Sequence, residues 1–254
     1  MTKKSIFMLI PAIMLLVAAC KKNDNSTPVV HYTRIFGAYD DSGHTNTIYL
    51  YSPTQLIEGS YDSAKHHDIF HYSNGQSLDE VQLNGSLAYT VYYIWNSQSL
   101  VDSSNILSPS NGVGIRKKYT YDGNGFLTGV KWYNNYNALV LNESYSIANG
   151  NVTQHSYNVL DSSNTSLPGG TYTYTYYTGQ KNTLSNLYFG RPYLGSSSAN
   201  PVQTSTYTNG VITSTAHYTY TYSGGNIATE LIFADSAGVS TTRIDSMSFN
   251  YYTQ

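Results

Sequence analysis

The densest chemistry in this chain is His66-His67-Asp68 followed by His71. These are the residue types that move protons or ligate metals. A metal site needs several ligands converging on one point. On a strand, His67 and His71 share a face but stand roughly 13 Å apart, at about 3.3 Å per residue, too far for one ion. On a helix they would meet, yet His67-x-x-x-His71 lacks the glutamate of the zinc-protease motif. The cluster therefore reads as polar residues beside a hairpin, and no metal site is expected. Were the chain a hydrolase with a site assembled from distant loops, His66, His67 and Asp68 would be its nameable residues.

Other chemistry is sparse. Asp40-Asp41 and Asp79-Glu80 are adjacent carboxylate pairs, but strand neighbours face opposite ways, so neither makes an acid/base pair. His217 shares the face of Thr213, Thr215, Thr219 and Thr221, which reads as the wet side of its strand. There is no Gly-x-Ser-x-Gly, no phosphate loop and no cysteine nucleophile. No catalytic residue and no cofactor is expected. The stronger lead is tyrosine. Tyr172, Tyr174 and Tyr176 share one strand face, and Tyr218, Tyr220 and Tyr222 share another. A phenol offers an apolar ring and a polar tip, so exposed rows of them would suit the apolar faces of sugars. Packed inward, the same rows would build a thin core with hydroxyls at its rim, the interleaved threonines taking the solvent side.

The elements that must position these residues are strands. Tyr119-Thr-Tyr121-Asp122-Gly123-Asn124-Gly125-Phe126 reads as strand, tight turn, strand, because Asp-Gly-Asn-Gly accepts the positive φ that narrow hairpins demand. Looser copies, Tyr followed by a turn glycine, recur at Tyr72, Tyr177, Tyr207 and Tyr222 at irregular intervals. Strands are expected over His31–Tyr39, Thr45–Tyr51, Gln55–Tyr61, Asp68–Tyr72, Leu78–Leu83 and Leu87–Trp95. In the second half they are expected over Leu139–Ile147, Val152–Leu160, Thr171–Tyr177, Leu184–Phe189, Val202–Tyr207, Val211–Tyr222, Ile227–Phe233 and Arg243–Tyr251. Asp102–Gly114, Asp161–Gly170 and Gly190–Pro201 read as loops. No segment after the leader has helical spacing. The fold predicted is all-β: an antiparallel meander of hairpins, twisted and curved, as an open sheet or half-barrel, with residues 31–254 as one domain.

Composition agrees. The chain has 27 Tyr against 7 Phe and 2 Trp, and only 11% charged residues. Aromatic and β-branched side chains suit a half-buried pleated surface. The formal net charge is −2, and removing Lys3 and Lys4 with a leader would make it −4. Nucleic acid calls for a basic stripe and is not an expected partner. The nearest approach, Arg116-Lys117-Lys118, reads as a solvated edge strand protected by charge.

The first twenty residues carry an address. Lys3 and Lys4 precede the apolar run Ile6–Val17, too short to span a bilayer comfortably and suited to a signal peptide. Val17-Ala18-Ala19-Cys20 resembles the bacterial lipobox, an aliphatic residue, two small residues and a cysteine. The resemblance implies that residues 1–19 are removed and that Cys20 becomes the acylated first residue, anchored by palmitate-type chains. Residues 20–30 then form a polar tether. Lys21 rather than aspartate after Cys20 leans towards the outer membrane.

Tyr121-Asp122-Gly123-Asn124-Gly125-Phe126-Leu127 resembles the tyrosine-aspartate repeat of the Rhs family. Behind a lipobox it is similar to a family of Bacteroidetes-type lipoproteins built from such hairpins. Tyr121 alone is followed by aspartate, and there is too little chain to enclose a toxin, so the Rhs cocoon role is not carried over. The function expected is that of a lipid-anchored outer-membrane or cell-surface protein, non-catalytic, binding a partner or serving as scaffold, with glycan the first ligand to test. The alternatives are the hydrolase above and a structural subunit of an envelope complex.

Overall fold

The computed structural model describes residues 33–40, 46–51, 55–61, 66–108, 112–160, 165–189, 191–236 and 239–253. The leader, Val17, Ala18, Ala19 and Cys20 lie outside them. Sixteen strands form among the described residues. They are β1 (Thr33–Asp40), β2 (Asn46–Tyr51), β3 (Leu56–Tyr61), β4 (His66–Ser73), β5 (Gln76–Leu83), β6 (Ser86–Trp95), β7 (Val101–Ser108) and β8 (Gly112–Tyr121). There follow β9 (Leu127–Asn134), β10 (Leu139–Ala148), β11 (Asn151–Leu160), β12 (Ser166–Tyr176), β13 (Val202–Thr208), β14 (Thr213–Ser223), β15 (Asn226–Ser236) and β16 (Val239–Thr253).

Each strand pairs antiparallel with its successor, the meander that the turn spacing predicts. The curvature goes further than an open sheet or half-barrel. β1 also pairs with β16, setting Ala38 opposite Phe249, and the ring closes. Most ladders carry a register shift, as between Thr120 and Tyr121 or between Ser146 and Ile147. Such bulges bend the bulged strand and increase its twist, which lets a long meander curl.

Side-chain alternation gives the wall two unlike faces. On β12 the phenols of Tyr172, Tyr174 and Tyr176 turn inward, and on the outside the Thr175 and Thr204 hydroxyls meet at 2.7 Å. Thr206 and Thr215 pair at 3.0 Å and Thr221 and Thr229 at 2.6 Å in the same manner. The tight turns use the residues that positive φ requires. At the β8–β9 turn Gly125 has φ +78°, and Asp122 Oδ1 accepts the backbone N–H groups of Asn124 and Phe126, each at 2.9 Å.

A ring this wide leaves space that wall side chains alone do not fill. Residues 177–201, between β12 and β13, fold into it. Tyr188 and Tyr193 are buried, and Tyr188 joins Ile35, Leu56, Phe70, Ile227 and Phe249 in the main apolar core. The backbone N–H of Ile35 donates to Tyr188 O at 3.0 Å. Thr183, fully buried, accepts the N–H of Ile227 at 2.8 Å and pairs with the Tyr251 hydroxyl at 3.0 Å.

Five readings change. Asp161–Gly170 is not all loop, since Ser166–Gly170 begin β12 and pair with β11. Leu184–Phe189 is not a strand. The segment turns on itself, with Phe189 N–H bonded to Ser185 O, and leads to a single 3-10 turn at Pro192–Leu194. Leu184, Tyr188 and Phe189 pack against the core while Leu187 stays exposed, instead of the run alternating across a sheet. Asp102–Gly114 is not a loop but most of β7 and the start of β8. Its serines and asparagine sit between neighbours that supply both hydrogen-bonded edges. β8 is not an edge strand, since it pairs with β7 and β9, and Lys117 points inward, its ammonium 3.5 Å from the centre of the Trp132 ring. Val211 and Ile212 form an exposed turn tip, and β14 begins at Thr213.

Candidate functional site

β10 and β11 form a hairpin around Asn149-Gly150 that sets Glu143 opposite Tyr157 and Tyr145 opposite His155. All four face inward. Glu143 gathers three donors. Trp132 Nε1 donates to Oε1 at 2.6 Å, and the Tyr145 hydroxyl and His155 Nε2 lie 2.5 and 2.9 Å from Oε2. Burial alone would raise the pKa of this carboxyl. The hydrogen bonds from His155, Tyr145 and Trp132, with the charge available on His155, outweigh burial and hold it below its usual range. Tyr145 carries the converse shift. Burial and the bond to Glu143 push its hydroxyl pKa far up, so it stays a donor.

The imidazole of His155 is sandwiched. It stacks on Tyr145 at 4.5 Å between centroids and on Tyr172 at 5.8 Å, both nearly parallel. With Nε2 committed to Glu143, Nδ1 is the nitrogen left for a ligand. Beside it a cavity of about 310 Å³ opens between the wall and the inserted segment. Tyr145, His155, Tyr174 and Tyr176 form its wall side, and Asn186 and Ser196 come from the inserted segment. Tyr176 is fixed by donating to Val152 O, with Ser198 Oγ at 3.1 Å. The Tyr174 hydroxyl has no protein partner among the described residues, and burial with its phenol neighbours raises its pKa to about 12.

Of the two ladders, the first therefore meets this cavity. The second stands further round the ring. Tyr218 bonds Ser205 Oγ at 3.1 Å, Tyr220 bonds Glu230, and Tyr222 reaches Gln180 of the inserted segment at 3.1 Å. Like Tyr222, the turn-flanking Tyr72 and Tyr121 meet the inserted segment. Tyr72 packs edge-on against Tyr193 at 6.2 Å, and the ring of Tyr121 lies against Gly195, leaving no room for a Cβ.

The histidine cluster does not converge. His66 and Asp68 face one way, joined at 2.9 Å, and His67 faces the other, against Ser60 Oγ at 2.9 Å and Glu58 at 3.4 Å. His71, on the side of His67, stands 3.6 Å from Glu80. Among the described residues no three acidic, histidine or cysteine side chains are placed to hold a metal ion.

Sequence reasoning missed Glu143, His155, Trp132 and Lys117. The turn alone would mislead: reflection about Asn149-Gly150 sets Glu143 opposite Ser156, and only the register shift between Ser146 and Ile147 puts Tyr145 opposite His155 and Glu143 opposite Tyr157. The contribution of Asn186 and Ser196 left no local trace.

No family model and no curated protein matches the chain. Solved structures do. A porin-like protein from Bacteroides uniformis ATCC 8492 superposes with a TM-score of 0.64 at 10% identity, over 87% of this chain and 96% of that one. A porin-like protein from Bacteroides vulgatus ATCC 8482 gives 0.58 at 11% identity, over 87% and 99%. At these identities the likeness is one of fold: an antiparallel β architecture spanning nearly the whole of each neighbour.

Proposed function

We propose that this chain is a non-catalytic binding protein of the bacterial envelope. In this reading its barrel stands in water on an acylated Cys20, and it takes a saccharide in the cavity beside His155. The observation that carries the reading is the sense of the wall: most tyrosine rings turn inward, and paired hydroxyls and exposed charges stand on the outer face. A barrel that crosses a membrane turns an apolar band about 25 Å tall towards lipid and keeps its polar side within. The outer face here instead carries paired threonines across β12–β15 and Glu58, Glu80, Arg116, Lys118 and Lys131 on outward positions. Charges facing lipid would cost about 2–4 kcal/mol each at the midplane for Arg or Lys. The porin-like neighbours lend the fold and not the pore.

The cavity supports a sugar through the parts it offers. Tyr174 and Tyr176 present ring area, and the Tyr174 hydroxyl, His155 Nδ1, Asn186 and Ser196 present donors and acceptors to ring hydroxyls. Membrane residence would come from two or more acyl chains, since one holds only marginally. A glycan array probed with the purified chain tests the ligand class. Retention that falls with Tyr174→Ala supports it, and an array with no retained sugar removes it. Detergent extraction tests the anchor: Cys20→Ala should move the protein from the membrane to the aqueous fraction.

A further inference from the structure

The outer wall across β5–β9 departs from the hydroxyl surface elsewhere. Two adjacent cross-strand rows cover it. One runs Leu78, Tyr92, Asn105, Arg116, Tyr133, and the other Gln76, Ile94, Ser103, Lys118, Lys131. The rows are apolar at β6, where Tyr92 is 38% and Ile94 43% exposed, and cationic at β8 and β9. An open groove of about 630 Å³ lies over them, edged by Asn135 and Asn137 of the β9–β10 turn.

The cationic end is built. The guanidinium of Arg116 sits 4.9 Å over the Tyr133 ring, and its Nη2 donates to Asn137 Oδ1, which fixes its plane. Lys118 and Lys131 stand directly opposite each other in the ladder, both exposed. Like charges in that relation destabilise a sheet, and the chain as a whole is acidic. Asp102 lies 3.9 Å from Lys118, and among the described residues no carboxylate pairs with Arg116 or Lys131. Between the two ends, the side-chain amides of Gln76, Asn105 and Asn135 have no protein partner among the described residues.

We propose that this groove binds an acidic oligosaccharide, a pyranose chain bearing carboxylate or sulfate groups. Tyr92, Ile94 and Leu107 take the apolar face of a ring. Amides, each both donor and acceptor, match hydroxyls, which are also both. Arg116 takes the anionic group in the planar, forked geometry that guanidinium offers to carboxylate and sulfate oxygens, with Lys118 and Lys131 drawing in the next charge along the chain. The proposal rests on reading the chain as a binding protein but not on the interior cavity, and the two sites fail separately.

Calorimetric titration of the full chain with a galacturonate hexamer, a chondroitin sulfate hexamer and a neutral methyl-esterified galacturonate hexamer tests it. At least one acidic probe should bind, weakening as salt rises, and the neutral probe should bind about tenfold or more weakly. Arg116→Gln should weaken the acidic probe about tenfold or more, and Lys118→Gln with Lys131→Gln should flatten the salt dependence. Tyr174→Ala, which damages only the interior cavity, should leave it unchanged. If Arg116→Gln does not fold, the double lysine variant and Tyr92→Ala decide the matter. The proposal is overturned if neither acidic probe binds, if neutral and acidic probes bind alike, or if loss follows Tyr174→Ala and not the groove variants. Preference for a single-stranded oligonucleotide over both acidic sugars would equally overturn it.

Discussion

The wall and the inserted segment are held in opposite ways. In the wall, each residue's partners follow from register: Tyr172 faces Tyr207 because β12 and β13 are antiparallel neighbours, and the two phenols pack against each other inside as a consequence. In the inserted segment, partners come from all round the ring. Ser196 N–H bonds Gly125 O, Ala199 N–H bonds Gly150 O, and Arg191 lies 5.0 Å over the Phe70 ring. Wall stability is thus repetitive and local in pairing, while the insert's partners lie on strands and turns far apart in the chain. The cavity beside His155 lies where the two meet, so binding there needs both.

The strongest way to break the wall alone is Glu143→Ala. It removes the acceptor for Trp132 Nε1, the Tyr145 hydroxyl and His155 Nε2 together. Stranding half-buried donors costs about 1–3 kcal/mol each when no water replaces the bond. A net loss of about 4 kcal/mol is expected by urea unfolding, with partial rescue by Glu143→Gln. A loss below 1 kcal/mol would show that water fills the gap and that the network is not what holds β9–β11 together.

The insert should break separately. Gly195 has φ +94°, and a Cβ there would lie 2.6 Å from Gly125 O and 2.8 Å from the Tyr121 ring. Gly195→Ala carries backbone strain plus a clash with backbone, about 2–3 kcal/mol together. The expected outcome is new protease sensitivity within residues 177–201 while strand content by circular dichroism holds. If the two were lost together, wall and insert would be one cooperative unit and the contrast would fall.

That contrast also explains what could be read from the letters. The turn at Asp122-Gly123-Asn124-Gly125 and the shared faces of Tyr172, Tyr174 and Tyr176 are short-range properties, fixed by φ preference and the two-residue period of a strand. β7 was hidden because its serines and asparagine carry no apolar alternation, and only paired neighbours make it a strand. The two-residue period by itself puts Arg116 and Lys118 on one face, as they stand in β8. That Lys117 turns inward onto Trp132 depends on the β8–β9 register, which no single strand states. Leu184–Phe189 looked like a strand because composition cannot distinguish an apolar run in a sheet from one plugging a ring.

Asp79 marks the seam between the two regions. Burial, then the nearby Asp68 charge, raise its pKa from 3.8 to about 7, against the pull of Arg191 from the insert. The folded chain thus keeps a proton that the unfolded chain releases between about pH 4 and 7. Stability should fall as pH rises through that window and level off above it. Asp79→Asn should match the parent near pH 4 and exceed it by about 1–2 kcal/mol at pH 8, in thermal melts across the range. An equal difference at both pH values would mean that packing, not the charge, sets the effect.

The smallest effect is expected outside the wall. Thr206 Oγ1 meets Thr215 Oγ1 at 3.0 Å on the outer face. Valine keeps the shape and β-preference of threonine and gives up one hydrogen bond that water competes for, so Thr206→Val should change stability by no more than about 0.5 kcal/mol. Joined with Thr173→Val, Thr175→Val and Thr204→Val, it replaces a hydroxyl surface with a contiguous apolar one, the kind that drives association or membrane adsorption. The quadruple variant should therefore unfold at nearly the parent's temperature yet adsorb to liposomes or self-associate by sedimentation. If it stays monomeric and unadsorbed, this outer face does not need its hydroxyls to stay in water, and they do not distinguish a wall standing in water from one facing lipid.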